Sequence, residues 1–577
     1  MYIEVVPNRG SRPAVLLREG WREGTKVRKR TLANLSDWPE EKVKALAGVL
    51  KGTSVTAGVD QGFDIVRSLP HGHVAAVLGV LEKLKLDRML SRTRCKERDL
   101  CVAMIVSRVV SPGSKLALAR GLAGETADST LSELLNVERN DEEDCYAAMD
   151  WLLERQPSIE GALAKRHLAD GSLVLYDVTS TYFEGRSCPL AKRGHSRDGK
   201  RDKAQIVVGL LTDRDGRPVA VEVFEGNTGD PMTVGAQIKK LRDRFSLKRV
   251  VLIGDRGMIT QARIDTELRK VEGLDWITCL RAPAIAKLVE EGSLQLSLFD
   301  QRDMAEISDA RFPGERLVIC KNPLLEQERA RKRQELIEAT EREFACIAAA
   351  VARRQRPLRG RDKIALRAGR VMGRFKMGKH FKLTIGDTSF RWERNLVAIA
   401  AESALDGIYV VRTTVQADKM PATDVVHSYK SLAHVERAFR SIKTTELHIR
   451  PIHHHKADRV RAHVLLCMLA YYVQWHMRRD LAPVLFDDDD RAGADARRES
   501  VVAPARRSHR AEAKAHTKRT DLNQPVHSFR TLLRDLATIA KNRIQPKAGG
   551  AQAFDVVTRP TPSQRSALDL LGVSLFP

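Results

Sequence analysis

Two aspartates and a glutamate carry most of the chemistry that this sequence offers. Asp177 stands in "SLVLYDVTSTYFEG" (172–185) and Asp255 in "RVVLIGDRGM" (249–258). Each follows a short apolar, β-branched run that reads as a buried strand. A carboxylate at the end of a buried strand is costly unless something pairs with it. If the second strand lies parallel beside the first, both carboxylates reach the same end of one sheet. Two ionised carboxylates a few ångströms apart repel, so the arrangement wants a divalent cation. All-oxygen ligation favours Mg2+ or Mn2+.

A third ligand is sought in "YKSLAHVERAFRSIK" (429–443). Tyr429, Leu432, Glu436, Phe439 and Lys443 follow steps of three and four, which is one face of a helix. The apolar members mark that face as inward, so Glu436 and Lys443 are charges where apolar residues are expected. Glu436 is the candidate ligand; the alternatives are a buried Glu436–Lys443 ion pair or a misjudged stripe. The loop "GRSCPLAKRGHSRDGKRDK" (185–203) is strongly basic and lies beside Asp177 in sequence. Lys192, Arg193 and Arg197 are its candidates for contact with a phosphate backbone. Arg256 follows Asp255 directly and either contacts a substrate strand or caps a helix.

The bulk composition agrees with a polyanionic partner. Lys and Arg number 98 against 74 Asp and Glu, a formal net charge of +24 over 577 residues, and such an excess points to nucleic acid. The eight cysteines form no CxxC pair, which excludes the common zinc modules and a secreted disulfide scaffold. "HHH" (453–455) is no zinc site, because consecutive residues rarely converge on one ion. The start lacks an apolar signal region. The longest apolar run, "VLLCMLAYYVQW" (464–475), is too short to span a bilayer and reads as a buried helix. A soluble cytoplasmic protein with no membrane partner is expected.

The elements that must position these residues follow from periodicity. Residues 1–39 read as a small strand-rich segment, and 40–168 as a helical DNA-binding domain. From 172 the order is β-β-β-α-β-α-β, with "DG" (215–216) as a hairpin turn and Asp230-Pro231 opening the first helix as N-cap and first helical residue. This forms the first part of an α/β core, 169–283. An insertion, 284–405, holds a long charged helix and the hairpin "HFKLTIGDTSFRWER"; the core resumes over 406–482, with a helix at 422–444. Residues 483–525 are expected as a disordered linker and 526–577 as a helical C-terminal tail.

Together "YDVTSTYFEG", "FEGNTGD", "LIGDRGM", "DGIYVVRT" and "YKSLAHVERAFRSIKT" resemble the DDE transposases of bacterial insertion sequences. The group is the IS-four superfamily with its Y-(2)-R-(3)-E-(6)-K signature, most like the IS sixteen-thirty-four type. Tyr429, Glu436 and Lys443 match the signature in register; Leu432 stands where the signature has Arg. The resemblance implies an RNase H-like core, a mixed five-stranded sheet with flanking helices. It implies that Asp177, Asp255 and Glu436 hold two metal ions for phosphoryl transfer on DNA. It also implies double-stranded DNA partners, namely terminal inverted repeats and target DNA, and a homodimer pairing two ends. Tyr429 and Lys443 become DNA contacts, and Trp392 a residue that stacks on bases at the cut end. A nuclease of the same fold that cuts without joining, or a non-catalytic DNA-binding descendant, are the competing readings.

Overall fold

The computed structural model describes residues 1–577 except 9, 11, 24–25, 52–62, 300–301, 548–551 and 576–577. The parts of the expected helical domain (40–168) and C-terminal tail (526–577) at 52–62, 548–551 and 576–577 lie outside the described residues. The chain divides into two compact units, Met1–His71 with Thr538–Arg559, and Gly72–Ala537 with Pro560–Pro577.

The smaller unit holds two antiparallel three-stranded sheets. One is β1 (Tyr2–Val6), β2 (Ala14–Glu23) and β3 (Lys26–Asn34) in that order. The other places β15 (Ala540–Pro546) between β4 (Phe63–Pro70) and β16 (Phe554–Val557). The boundary at residue 40 therefore shifts. Residues 63–70 are a strand whose partner is 470 residues away in sequence, a pairing that local periodicity cannot announce, and the C-terminal stretch is mixed rather than helical.

In the larger unit the sheet has eight strands rather than five. It comprises β5 (Ser172–Tyr182), β6 (Gln205–Asp213), β7 (Pro218–Glu225), β8 (Val250–Ile253), β9 (Leu274–Cys279), β10 (Met304–Ile307), β11 (Arg316–Lys321) and β14 (Ile408–Thr413), in the order β10-β11-β14-β9-β8-β5-β6-β7. The extra width comes from β14, where the core resumes, and from β10 and β11, which the insertion adds beyond it. β5, β6 and β7 form an antiparallel meander whose second turn contains Gly216 at φ 81°. A side chain there would also strike His434 at 2.6 Å, so glycine answers both demands. After the meander the chain crosses over, and β8 and β9 are parallel. Asp230 caps nothing. The chain enters its helix through a 3-10 turn, Asp230–Thr233, and the Asp230 carboxylate pairs with Arg197 instead.

The remainder of the insertion folds on its own small core. The helices Pro323–Ala352 and Arg361–Phe375 enclose Phe344, Ile347 and Ile364 with the hairpin of β12 (Phe381–Ile385) and β13 (Phe390–Arg394). The apolar run at 464–475 lies in the helix Ala457–Leu481, almost wholly buried. Among the described residues no single helix is long and apolar enough to cross a membrane.

Residues 483–525 are ordered, against the composition-based expectation. The four consecutive aspartates each have a partner. Asp487 takes the Arg478 guanidinium at 2.9 Å, Asp488 accepts from Ser508 N and Oγ at 2.8 and 2.7 Å, and Asp489 meets Lys514 at 2.8 Å. Asp490 caps the helix Arg491–Ala496 through Gly493 N at 2.8 Å. Polar pairing adds to the burial of a few apolar residues, Leu485, Val502 and Ala511, in holding this segment, and a hydrophobicity count does not register the pairing.

Candidate active site

β5 and β8 run parallel with Leu175 opposite Ile253 as the last pair. β8 ends there. Asp177 and Asp255 each lie two residues further on, so the register carries both past the end of the shared ladder. Asp177 does not end its strand, however. β5 continues to Tyr182 because β6 still pairs with it from the other side. The carboxylate thus sits where one neighbour has stopped and the other persists, open to a cleft on one flank only.

The expected helix at 422–444 is divided into three pieces. Ala422–Lys430 is followed by a break at Ser431, then Leu432–Arg440, then a π-helical turn, Ser441–Thr445. Leu432, Phe439 and Lys443 are buried on its inner face, but Glu436 is exposed on the wall of the cleft rather than inside the core. Leu432, Glu436 and Phe439 keep one face of an unbroken helical stretch, and Glu436 is exposed because the cleft opens over that part of the face. Asp177, Asp255, Glu436, Arg197, Tyr429 and Lys443 all line this one cleft, whose volume is about 690 Å³.

Burial pushes the Asp177 carboxyl up to about 7, and the charges of Asp255 and Glu436 push the same way. Opposing them are the Val178 N–H, which donates to Asp177 Oδ1 at 2.8 Å, and the Arg197 guanidinium. Asp255 is held by two donors, Gly257 N at 3.2 Å and the Tyr429 hydroxyl at 3.4 Å. Burial raises the Tyr429 phenol, so it stays a proton donor. By type and by mutual repulsion these carboxylates fit a hard divalent cation. Among the described residues no three carboxylate, His or Cys side chains already converge on one point.

The other sequence candidates fall in different places. Lys443 is not free for a phosphate: its ammonium donates to Asp198 Oδ1 at 2.9 Å, and Arg450 takes the other oxygen at 2.7 Å. The inward charge is satisfied by a residue of the basic loop 185–203, which spacing on one helix cannot reveal. That loop is pressed against the end of β7, where a Cβ on Gly194 would lie 1.9 Å from the Gly226 carbonyl. Arg197 faces the cleft but is paired with Asp230. Lys192 makes a two-way backbone bridge to Gln205 with its side chain exposed, and Arg193 is exposed beside it. Arg256 is exposed outside the cleft's lining. Trp392 is half-buried and packs against Phe344 and Phe390, each ring 5.8 Å away, at the edge of the insertion's core. The cleft also gathers His195, Asp230, Lys430 and Arg440, which sequence reasoning passed over. Arg440, four residues after Glu436, was open to the same helical spacing argument. Lys430 anchors the segment after the aspartates, donating to Val501 O and Val502 O at 2.7 Å.

The family described as "Transposase DDE domain" matches residues 169–473. The family described as "IS1634 family transposase, N-terminal domain" matches residues 3–58. No curated protein matches the chain. Among solved structures, one similar chain comes from a cryo-EM structure of piggyBac transposase synaptic complex with hairpin DNA. It aligns over 82% of this chain and 81% of that one at 9% identity, with a TM-score of 0.32, too loose a likeness to support any argument.

Proposed function

The chain belongs to the transposase DDE-domain family, and from that premise we propose that Asp177, Asp255 and Glu436 are the acids at which this DNA transposase breaks and joins strands. The observation that carries the assignment is the parallel β5–β8 register, which brings Asp177 and Asp255 past the ladder together, with Glu436 on the wall of the same cleft. The strand order supports an RNase H-like core: an antiparallel meander, a crossover, then two parallel strands.

Each step is an in-line displacement at a phosphodiester. Water attacks first and releases the 3′-hydroxyl of an element end; that hydroxyl then attacks a phosphodiester of target DNA, and the displaced strand leaves with its own 3′-oxygen. A pair of bound Mg2+ or Mn2+ ions would activate the attacking oxygen and stabilise the leaving one. Asp177, Asp255 and Glu436 would supply the ligating oxygens, while Tyr429 and Gly257 fix the direction of Asp255. Arg197, at the cleft beside Asp177, offers positive charge to the scissile strand. Terminal inverted repeats and target DNA are the substrates, and two copies pair two ends.

Purified full-length protein should nick its cognate ends with Mg2+ or Mn2+ and then join them to target DNA. Full activity in excess chelator would overturn the metal assignment, and nicking without joining would mark a nuclease. Tyr429→Phe removes one weak charge-assisted hydrogen bond to Asp255. Cleavage should fall roughly tenfold, the equivalent of about 1.4 kcal/mol, with end affinity unchanged. A loss of affinity equal to the loss of rate would instead make Tyr429 a DNA contact.

A further inference from the structure

We propose that a second cleft in the larger unit is a binding site for the phosphodiester backbone of DNA, separate from the carboxylate cleft. It lies between the end of the helix Lys96–Val110, the segment Glu446–Lys456 and the helix Phe529–Ala537, and encloses about 1080 Å³. Its lining carries Arg108, Lys115, Lys456, Arg459, Arg530 and Arg534. The one acidic residue among the described lining is Glu446, and it is taken by Arg478.

Two of these cations are buried, and that sets the cleft apart from a solvated basic surface. Lys115 is 6% exposed and Arg108 is 8% exposed. Among the described residues the Arg108 guanidinium finds only backbone carbonyls, of Gly113 at 3.3 Å and of Leu447 and His448 at 3.5 Å. Lys115 has no carboxylate partner among the described residues. Burial, with the charge of Arg108 adding to it, pulls the Lys115 ammonium down to about 8. Burying a charge without a counter-charge is costly, and two like charges side by side cost more. An anion entering the cleft removes both costs. Arg530 and Arg534 add exposed charge at i and i+4, a spacing that disfavours the isolated helix but suits an anion laid along it.

Two features favour a nucleic-acid backbone over a free phosphate. The number of cations exceeds what one phosphate neutralises. The cleft also adjoins the carboxylate cleft through a single group: Arg450 lines the basic cleft, Lys443 lines the carboxylate cleft, and both hold Asp198. A strand lying at the carboxylates therefore has phosphate-binding charge on the far side of that bridge. The basic cleft contains no pair of carboxylates, so it binds and does not cut. Only the identity of the polyanion rests on the transposase reading.

The test uses the full chain. Arg530→Gln/Arg534→Gln changes two exposed side chains, and Lys115→Met removes a buried charge while keeping the aliphatic stem. Affinity for an end duplex and for a random duplex is measured by fluorescence anisotropy at several salt concentrations. The double variant should bind both at least tenfold more weakly. Its plot of log affinity against log salt should be shallower by about 2, because about 0.9 counterion is released per phosphate contact. Lys115→Met should bind both duplexes more weakly without a lower melting temperature. Unchanged affinity and slope in both variants would overturn the proposal. So would a melting temperature raised by millimolar inorganic phosphate in wild type and not in Lys115→Met, with duplex affinities unchanged, since that marks a small-anion site. Failure of the transposase reading shows elsewhere, as wild-type protein that binds DNA and never cleaves it.

Discussion

Asp177→Asn should abolish strand cleavage, by a thousandfold or more, and should also make the metal-free protein more stable at pH 8. The loss of activity follows from exchanging a carboxylate for an amide, a poor ligand for a hard cation. The gain in stability follows from the raised pKa of the folded state. Burial, Asp255 and Glu436 move Asp177 from 3.8 up to about 7. A group raised on folding contributes stability that is fully present below its unfolded pKa, near pH 4, and is lost as pH rises through about 7. Three pKa units correspond to about 4 kcal/mol at most. Metal-free wild type should therefore melt lower at pH 8 than at pH 5, and the variant should lack this component. Divalent cation should raise the wild-type melting temperature at pH 8 and leave the variant unmoved, since a ligand stabilises only the state that binds it. Glu436→Gln should lose cleavage equally with a much smaller gain in stability, because Glu436 is exposed and its charge contributes least to raising Asp177. Retained cleavage in Asp177→Asn, or a pH dependence of melting identical to wild type, would remove Asp177 from the site.

The juxtaposition of Asp177 and Asp255 was legible because it depends on two local signals and one topological rule. Apolar runs mark β5 and β8, and a crossover after an antiparallel meander returns a strand parallel to the first. The Leu175–Ile253 register then makes the two positions equivalent. The placement of Glu436 was legible only to the level of the helix. Five residues in ideal 3.6-residue spacing define a face, but where the cleft opens over that face, which no local spacing announces, decides which members are covered. Leu432 and Phe439 are; Glu436 opens to the cleft.

What stayed illegible is pairing over long sequence distance. β4 is a strand because β15 is beside it, and neither sequence names the other. β10 and β11 are short apolar runs that become part of the main sheet only through β14. Residues 487–490 read as part of a disordered linker because composition carries no information about Arg478, Ser508 and Lys514 lying within reach. Trp392 illustrates the converse. Its hairpin was evident from alternation and turn residues, but whether its ring faces DNA or Phe344 depends on a helix some fifty residues earlier.

Lys443 gives the sharpest contrast between the two levels. The family resemblance makes it a contact for DNA, whereas the structure makes it one of two cations on a buried Asp198, with side-chain exposures of 11% and 6% for Lys443 and Asp198. Removing the shared anion should be worse than removing one cation. Asp198→Asn leaves Lys443 and Arg450 facing each other without a counter-charge, and breaking a buried pair in this way costs about 3–5 kcal/mol. Lys443→Ala leaves Asp198 with Arg450, which is more exposed and adapts, so about 1–2 kcal/mol is expected from one lost charged hydrogen bond. Both variants should also lower cleavage, because Asp198 joins the loop 185–203 to the π turn after Glu436, and that joint sets where Arg197 and Glu436 stand across the cleft. Neither should change the slope of end affinity against salt. A phosphate contact behaves the other way: Lys443→Ala would then flatten the slope by about 0.9 and leave the melting temperature alone. Denaturation midpoints and salt slopes for the two variants separate these outcomes, and a flattened slope with wild-type stability would return Lys443 to the DNA.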